Sequence, residues 1–190
     1  QMNISTYSSI EFKINDKIKS VIGLRAENFV QKYTGENSGG TVKYDDEKVI
    51  DKLDIFPSTN FIYSLKENSN LRLAYSKTTA RPSFKEVSIA EIYDPLSNMT
   101  FNGNINLKPS YIDNLDLRYE LFGEDNELFA ISGFYKSFKD PIELTYYEAS
   151  TENFQPKNLG NAKVYGLELE LRRQFSQSLG ININASVIES

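Results

Sequence analysis

The acidic side chains with spacing suited to chemistry fall in short alternating runs. Glu168 and Glu170 stand two residues apart with Arg172 after them, and Asp116, Arg118 and Glu120 repeat the spacing. On a strand, side chains two apart share a face at about 7 Å, a separation at which one carboxyl could act as general acid and the other as base in an inverting glycosidase. Other catalytic chemistry is scarce. The 190 residues include no histidine and no cysteine, which removes imidazole and thiolate chemistry, Cys/His zinc sites, haem ligation, disulfides and every His-based triad. Plain alternation explains the carboxylate pair without catalysis, so no catalytic, cofactor or metal residue is assigned and the chain is read as a non-enzyme. The acidic stretches with Glu36, Asp45, Asp46 and Glu47, and with Asp140, Glu143, Glu148 and Glu152, lack the Asp/Asn ladder and glycine of a calcium loop and read as solvated connections. With 21 Lys and Arg against 26 Asp and Glu, a net charge of −5, there is no electrostatic footprint for nucleic acid.

The elements that carry these residues are strands. Period-two alternation recurs in eight segments, residues 4–14, 18–29, 55–65, 71–79, 113–122, 128–138, 163–175 and 181–188, each close to the roughly 9–11 residues with which a tilted strand crosses a bilayer. In the clearest, Leu115, Leu117, Tyr119 and Leu121 alternate with Asn114, Asp116, Arg118 and Glu120, and Tyr165, Leu167, Leu169 and Leu171 alternate with Gly166, Glu168, Glu170 and Arg172. Segment 128–138 has apolar residues on both faces, Phe129 and Ile131 against Leu128 and Phe134, and leaves its orientation open.

Short polar turns at 15–17, 66–70, 123–127 and 176–180 alternate with long connections at 30–54, 80–112 and 139–162. Prolines 82, 95, 109, 141 and 156 lie in the long connections and Pro57 at a strand entry, so the spacing predicts no proline inside a strand. Tight turns at one end and long loops at the other are the pattern of an outer-membrane meander. Aromatics are 13% of the chain, and they group accordingly: Phe12, Tyr63, Phe122, Phe129 and Phe175 near the short turns, Tyr75, Tyr135, Phe138 and Tyr165 near the opposite rim. No run approaches the roughly 18 apolar residues of a membrane helix. The fold expected is all-β, an antiparallel up-and-down meander of about eight strands forming part of a larger transmembrane β-barrel.

Three stretches carry a family resemblance. Ala80-Arg81-Pro82-Ser83-Phe84 follows a strand; Gly103-Asn104 and Leu107-Lys108-Pro109 lead into Asn114-Leu115-Asp116-Leu117-Arg118-Tyr119-Glu120; Val164-Tyr165-Gly166-Leu167-Glu168-Leu169-Glu170 follows. With Gly23-Leu24-Arg25 and Phe56-Pro57-Ser58, they resemble the barrel of TonB-dependent outer-membrane receptors. The resemblance implies a barrel of about 22 strands around a plug, importing a scarce nutrient such as a siderophore, cobalamin or glycan with energy passed through TonB. Residues 1–190 are then a partial barrel domain, without plug or closing C-terminal strand, located in the bacterial outer membrane. Its implied partners are outer-membrane lipid, a plug domain, TonB and a small-molecule or glycan ligand.

On this reading Asp116, Arg118, Glu120, Glu168, Glu170 and Arg172 face the lumen. The three long connections are extracellular and contribute to ligand capture. The 80–112 connection, unusually apolar for a loop, supplies the ligand-contact candidates Arg81, Phe84, Tyr93, Met99 and Phe101, either as a lid over the mouth or folded against its own strands. Two other architectures accommodate the same pattern: a complete small eight-stranded outer-membrane barrel, and a soluble cell-surface β-sandwich whose loops bind glycan or protein.

Overall fold

The computed structural model describes residues 1–190 except Asp125, Glu148, Ala149 and Gln177, with the backbone alone described for Tyr147, Ser150, Thr151 and Glu152. The turn positions Asp125 and Gln177 and the acidic Glu148 therefore lie outside the described residues, as does the side chain of Glu152. In chain order the elements are β1 (Met2–Asn15), β2 (Ile18–Glu36), β3 (Lys43–Lys66), β4 (Ser69–Ala80), α1 (Phe84–Val87), β5 (Glu91–Asp94), β6 (Met99–Asn102), β7 (Ser110–Phe122), β8 (Leu128–Lys139), β9 (Ile142–Tyr147), β10 (Ser150–Asn158), β11 (Asn161–Ser176) and β12 (Leu179–Glu189). Each alternating segment of the sequence falls inside one of the eight long strands. These form one sheet in the order β1-β2-β3-β4-β7-β8-β11-β12, every neighbour antiparallel. The sheet does not close, since β1 and β12 lie at opposite edges. It is thus neither a complete eight-stranded barrel nor a sandwich of two facing sheets.

Register places like with like across the strands. Leu73, Leu117, Gly133, Leu167 and Val187 are level on β4, β7, β8, β11 and β12, while Arg72, Arg118, Ser132, Glu168 and Ser186 form the adjacent row, one residue away. Because side chains alternate, one row occupies each face. The pairing also orients β8: Phe129 and Ile131 join the apolar face, and Phe134 lies on the polar face against Gly166, where a Cβ would meet its ring at 2.8 Å.

Burial is inverted relative to a water-soluble protein. On the apolar face Leu53 is 72% exposed, Leu167 61% and Val187 76%, whereas Glu27 and Glu120 of the other face are only 6% and 8% exposed. Soluble monomers rarely leave a contiguous apolar face of this extent in water. Hydrocarbon is the medium that the face suits.

At the end away from the short turns the chain builds more structure than its long connections suggest. The 30–54 stretch is not a loop: β2 and β3 continue through it and turn only at residues 37–42, where the Asn37 side-chain oxygen accepts hydrogen bonds from the Thr41 and Val42 amides at 2.8 and 2.9 Å. The other two connections fold together into a second sheet, β5-β6-β10-β9, in which β6 and β10 run parallel. Short α1 is set by a capping box between Ser83 and Glu86. Gly103 is required where the chain returns beside it, because a Cβ there would lie 1.9 Å from the Ser88 carbonyl oxygen.

Tyr33 of β2, Val87 of α1 and Leu107 form a buried cluster, with Tyr44, Val49, Ile89, Ile105 and Ile142 packed around it. All three connections thus share one small core. Four short strands went unseen in the sequence because each is under ten residues, and the one pairing that joins the two hairpins, β6 with β10, spans some fifty residues.

Two proline assignments change with the strands. Pro57 lies inside β3 and Pro156 inside β10. Each sits beside a lapse in pairing: the β3–β4 ladder begins only at Ser58–Ser76, and β6 pairs with β10 only at Asn153 and Phe154, so the missing amide hydrogen is tolerated. Two of the aromatic assignments change as well. Phe122 and Phe138 take the alternation of the polar face, not that of the apolar rim residues.

Candidate functional site

The polar face is organised by ion pairs that cross the strands. Arg72 and Arg118 are directly opposed on β4 and β7, an arrangement that would repel. Glu120 answers both, accepting from Arg72 Nε at 2.6 Å and Arg118 Nε at 2.9 Å. Arg118 then reaches Ser132 Oγ at 3.1 Å and Glu170 Oε2 at 2.8 Å, and Arg172 lies 3.5 Å from Glu170 on the far side. The sequence candidates Arg118, Glu120, Glu170 and Arg172 are therefore brought into one ladder. Asp116 and Glu168 share its face without joining it, Asp116 half-buried and Glu168 exposed. Such a ladder holds charge at fixed places on one face and commits Glu170 to Arg118 and Arg172.

Higher on the sheet lies a second cluster. Arg81, just beyond β4, places Nη1 2.7 Å from Glu27 Oε2 as an ion pair lacking the angle of a hydrogen bond. Its Nη2 is 3.5 Å from Asp54 Oδ2, and its guanidinium carbon lies 4.4 Å from the centre of the Phe29 ring. Arg25 Nε is 2.6 Å from the other oxygen of Glu27, and the Tyr111 hydroxyl donates to Asp54 Oδ1 at 2.7 Å. Tyr111 stands above the roughly ten residues, 113–122, with which β7 would cross a bilayer. Burial, reinforced by the hydrogen bond to the Asp54 carboxylate, pushes its hydroxyl up to about 12, so it stays a donor at any physiological pH.

This cluster clamps the start of the 80–112 connection to β2 and β3. Sequence reasoning found Arg81 but missed Glu27 and Asp54 as its partners, and Tyr111 as the partner of Asp54. Alternation of Arg25 with Glu27 was the available signal; nothing local tied Asp54 or Tyr111 to them.

The remaining ligand-contact candidates sit on the outer structure. Phe84 is 60% exposed, with its ring centre 5.8 Å from that of Tyr33. Phe101 has Lys85 Nζ 4.7 Å over its ring, and Met99 is half-buried on the same strand, β6. Tyr93 is exposed and donates to Asn98 Oδ1 at 2.8 Å at the tip of the β5–β6 hairpin. Asp94 in that tip accepts from the Leu96 amide and the Ser97 hydroxyl, and these bonds hold its carboxyl below the usual carboxylate range. Phe84, Tyr93, Met99 and Phe101 thus belong to one folded cap, whereas Arg81 is committed to the clamp beneath it. No cluster of acidic residues able to hold a metal ion occurs among the described residues.

A family model described as the outer membrane protein beta-barrel family matches residues 1–190. Among solved structures, the chain is similar to the siderophore receptor PirA from Pseudomonas aeruginosa, with a TM-score of 0.76 and 16% identity over 98% of this chain and 34% of that one. It is also similar to the ferric enterobactin receptor PfeA from the same organism, with a TM-score of 0.72 and 17% identity over 99% of this chain and 27% of that one. The FrpB iron transporter from Neisseria meningitidis gives a TM-score of 0.67 and 17% identity over 98% and 25% of the respective chains. The chain thus spans about a quarter to a third of the length of these structures. No curated protein matches it.

Proposed function

Because the chain belongs to the outer membrane protein β-barrel family, and so to the bacterial outer membrane, we propose that it forms part of the wall of a TonB-dependent receptor that imports a ferric siderophore. A plug domain packs against the polar ladder of Arg72, Arg118, Glu120 and Glu170, and TonB supplies the energy. The ligand is captured by the cap built from residues 80–112 and 139–162 beside the β2–β3 hairpin, with Phe84, Tyr93, Met99 and Phe101 as contacts. Arg81 positions that cap from below and does not touch the ligand. No reaction is catalysed.

The observation that carries this reading is the inverted sheet, its apolar side bare while Glu27 and Glu120 of the polar side are buried, with all three long connections gathered at one end. The names of the receptors that share its fold favour a ferric chelate over cobalamin or glycan. Binding of ferric siderophores to the full-length receptor, followed by fluorescence quenching, is the test. Phe84→Ala with Tyr93→Ala is expected to weaken binding by about 2 kcal/mol, roughly thirtyfold, as loss of aromatic anchors does. Unaltered affinity in the double variant would remove the cap from the ligand site, and failure of the receptor to bind any ferric chelate would remove the proposed substrate class.

A further inference from the structure

The apolar face is not uniform, and its departure lies in one vertical column on β8 and β11. Gly133 leaves a dent in the Leu73–Leu117–Gly133–Leu167–Val187 row. The dent opens into a cavity of about 540 Å³ lined by Leu117, Leu167, Val187, Tyr135 and Tyr165 among others. A Cβ at Gly133 would touch only Leu167 Cδ2, at 3.4 Å, and the Gly166 oxygen at 4.0 Å, so backbone packing does not demand the glycine. One step toward the long connections the paired Tyr135 and Tyr165 form the upper wall.

Beyond them on the same face are Lys163, paired with Ser137, and Lys139, paired with Asn161. Both lysines are exposed, and no carboxylate pairs with either among the described residues. Diagonal neighbours on adjacent strands lie about 7–8 Å apart, close enough for one phosphate to bridge two ammonium groups. From Lys163 to Leu167 the rise is roughly 13 Å, which carries a ligand from a charged head, past two rings, into an apolar slot. Three other charged groups face the column. Lys77 lies over the Tyr111 ring, Asp113 accepts the Tyr75 hydroxyl at 2.6 Å, and Glu189 is level with Tyr165 at the β12 edge.

We propose that this column binds one anionic, phosphate-bearing lipid of the outer leaflet, its phosphate on Lys139 and Lys163 and one acyl chain in the slot over Gly133. The inference rests on the outer-membrane placement of the sheet and adds a fixed lipid to it. Charge complementarity and the graded order of lysine, tyrosine and glycine select this occupant over a second apolar protein surface, which would leave the two ammonium groups against hydrocarbon.

The test purifies the full-length receptor from outer membranes in mild detergent and measures retained phosphorus and acyl chains by mass spectrometry. Two variants are compared, Gly133→Leu, which fills the slot, and Lys139→Glu with Lys163→Glu, which reverses the head site. Each is expected to lower retained lipid by about tenfold while keeping the heat-modifiable gel migration of a folded barrel. If Gly133→Leu does not fold, the lysine variant, altered only at exposed positions, decides alone. Undiminished lipid in a heat-modifiable lysine variant overturns the lipid site and leaves the barrel intact. Loss of heat-modifiable migration in the unaltered receptor would instead overturn the barrel reading on which the site rests.

Discussion

Leu117→Arg is expected to destabilise the folded full-length protein in a bilayer by roughly 2–4 kcal/mol, the cost of an arginine at mid-membrane on the lipid side of a barrel. Leu117 is 50% exposed and sits near the middle of β7, level with Leu73 and Leu167 and flanked by no charged side chain on its own face. In water an exposed leucine-to-arginine change lies within about 0.5 kcal/mol of neutral. The magnitude therefore separates the two solvents. Asp116→Asn, one residue away on the polar face, is the companion, expected to stay within about 0.5 kcal/mol. Denaturant titration of the full-length protein in lipid vesicles measures both. Equal small effects at 116 and 117 would mean that neither face meets hydrocarbon.

Arg81→Met carries the second large effect, about 3–5 kcal/mol, because it removes the cation from buried carboxylates while keeping the apolar stem. Glu27 would keep Arg25 and Asp54 would keep Tyr111, so the loss falls on the link between β2–β3 and the cap rather than on the whole sheet. Limited proteolysis of the full-length protein should show new cleavage within residues 80–112 while the sheet below stays resistant. Arg81→Lys would restore part of the charge but neither the forked contacts to Glu27 and Asp54 nor the stacking on Phe29, giving an intermediate rate. A proteolytic pattern unchanged by Arg81→Met would show that the cap is held by its apolar core alone.

The eight long strands were legible because alternation of the kind seen in Leu115–Leu121 and Tyr165–Leu171 is a local property, written residue by residue. The register that makes a ladder of Arg72, Glu120, Arg118 and Glu170 is not local: it depends on which strand is neighbour to which, and only the meander order supplied it. Polar residues at the outer end misled for a related reason. Tyr33, Gln31 and Ile50 are buried although Lys32, Lys48 and Asp46 lie among them, because strands that leave the membrane exchange a lipid face for water while their inner face meets the cap. Asn153 and Phe154 pair in parallel with Thr100 and Phe101, a contact across some fifty residues that no turn signal announces.

Among the ligand-contact candidates, Arg81 shows the limit of motif reading most clearly. Its place after a strand and before Pro82 marked it as special, but the motif could not tell a residue that meets ligand from one that holds the segment which does. The ion pair with buried Glu27 places Arg81 in the clamp beneath the cap.

Single cysteines placed at 114 through 121, in a segment that has none of its own, can be spin-labelled in the full-length protein within a bilayer and their collision rates with oxygen and with a water-soluble nickel complex compared. Labels at 115, 117, 119 and 121 should meet oxygen, and those at 114, 116, 118 and 120 should not. A profile without that two-residue beat, or one with the charged positions on the oxygen side, would contradict the assignment of lipid and lumen to the two faces of this sheet.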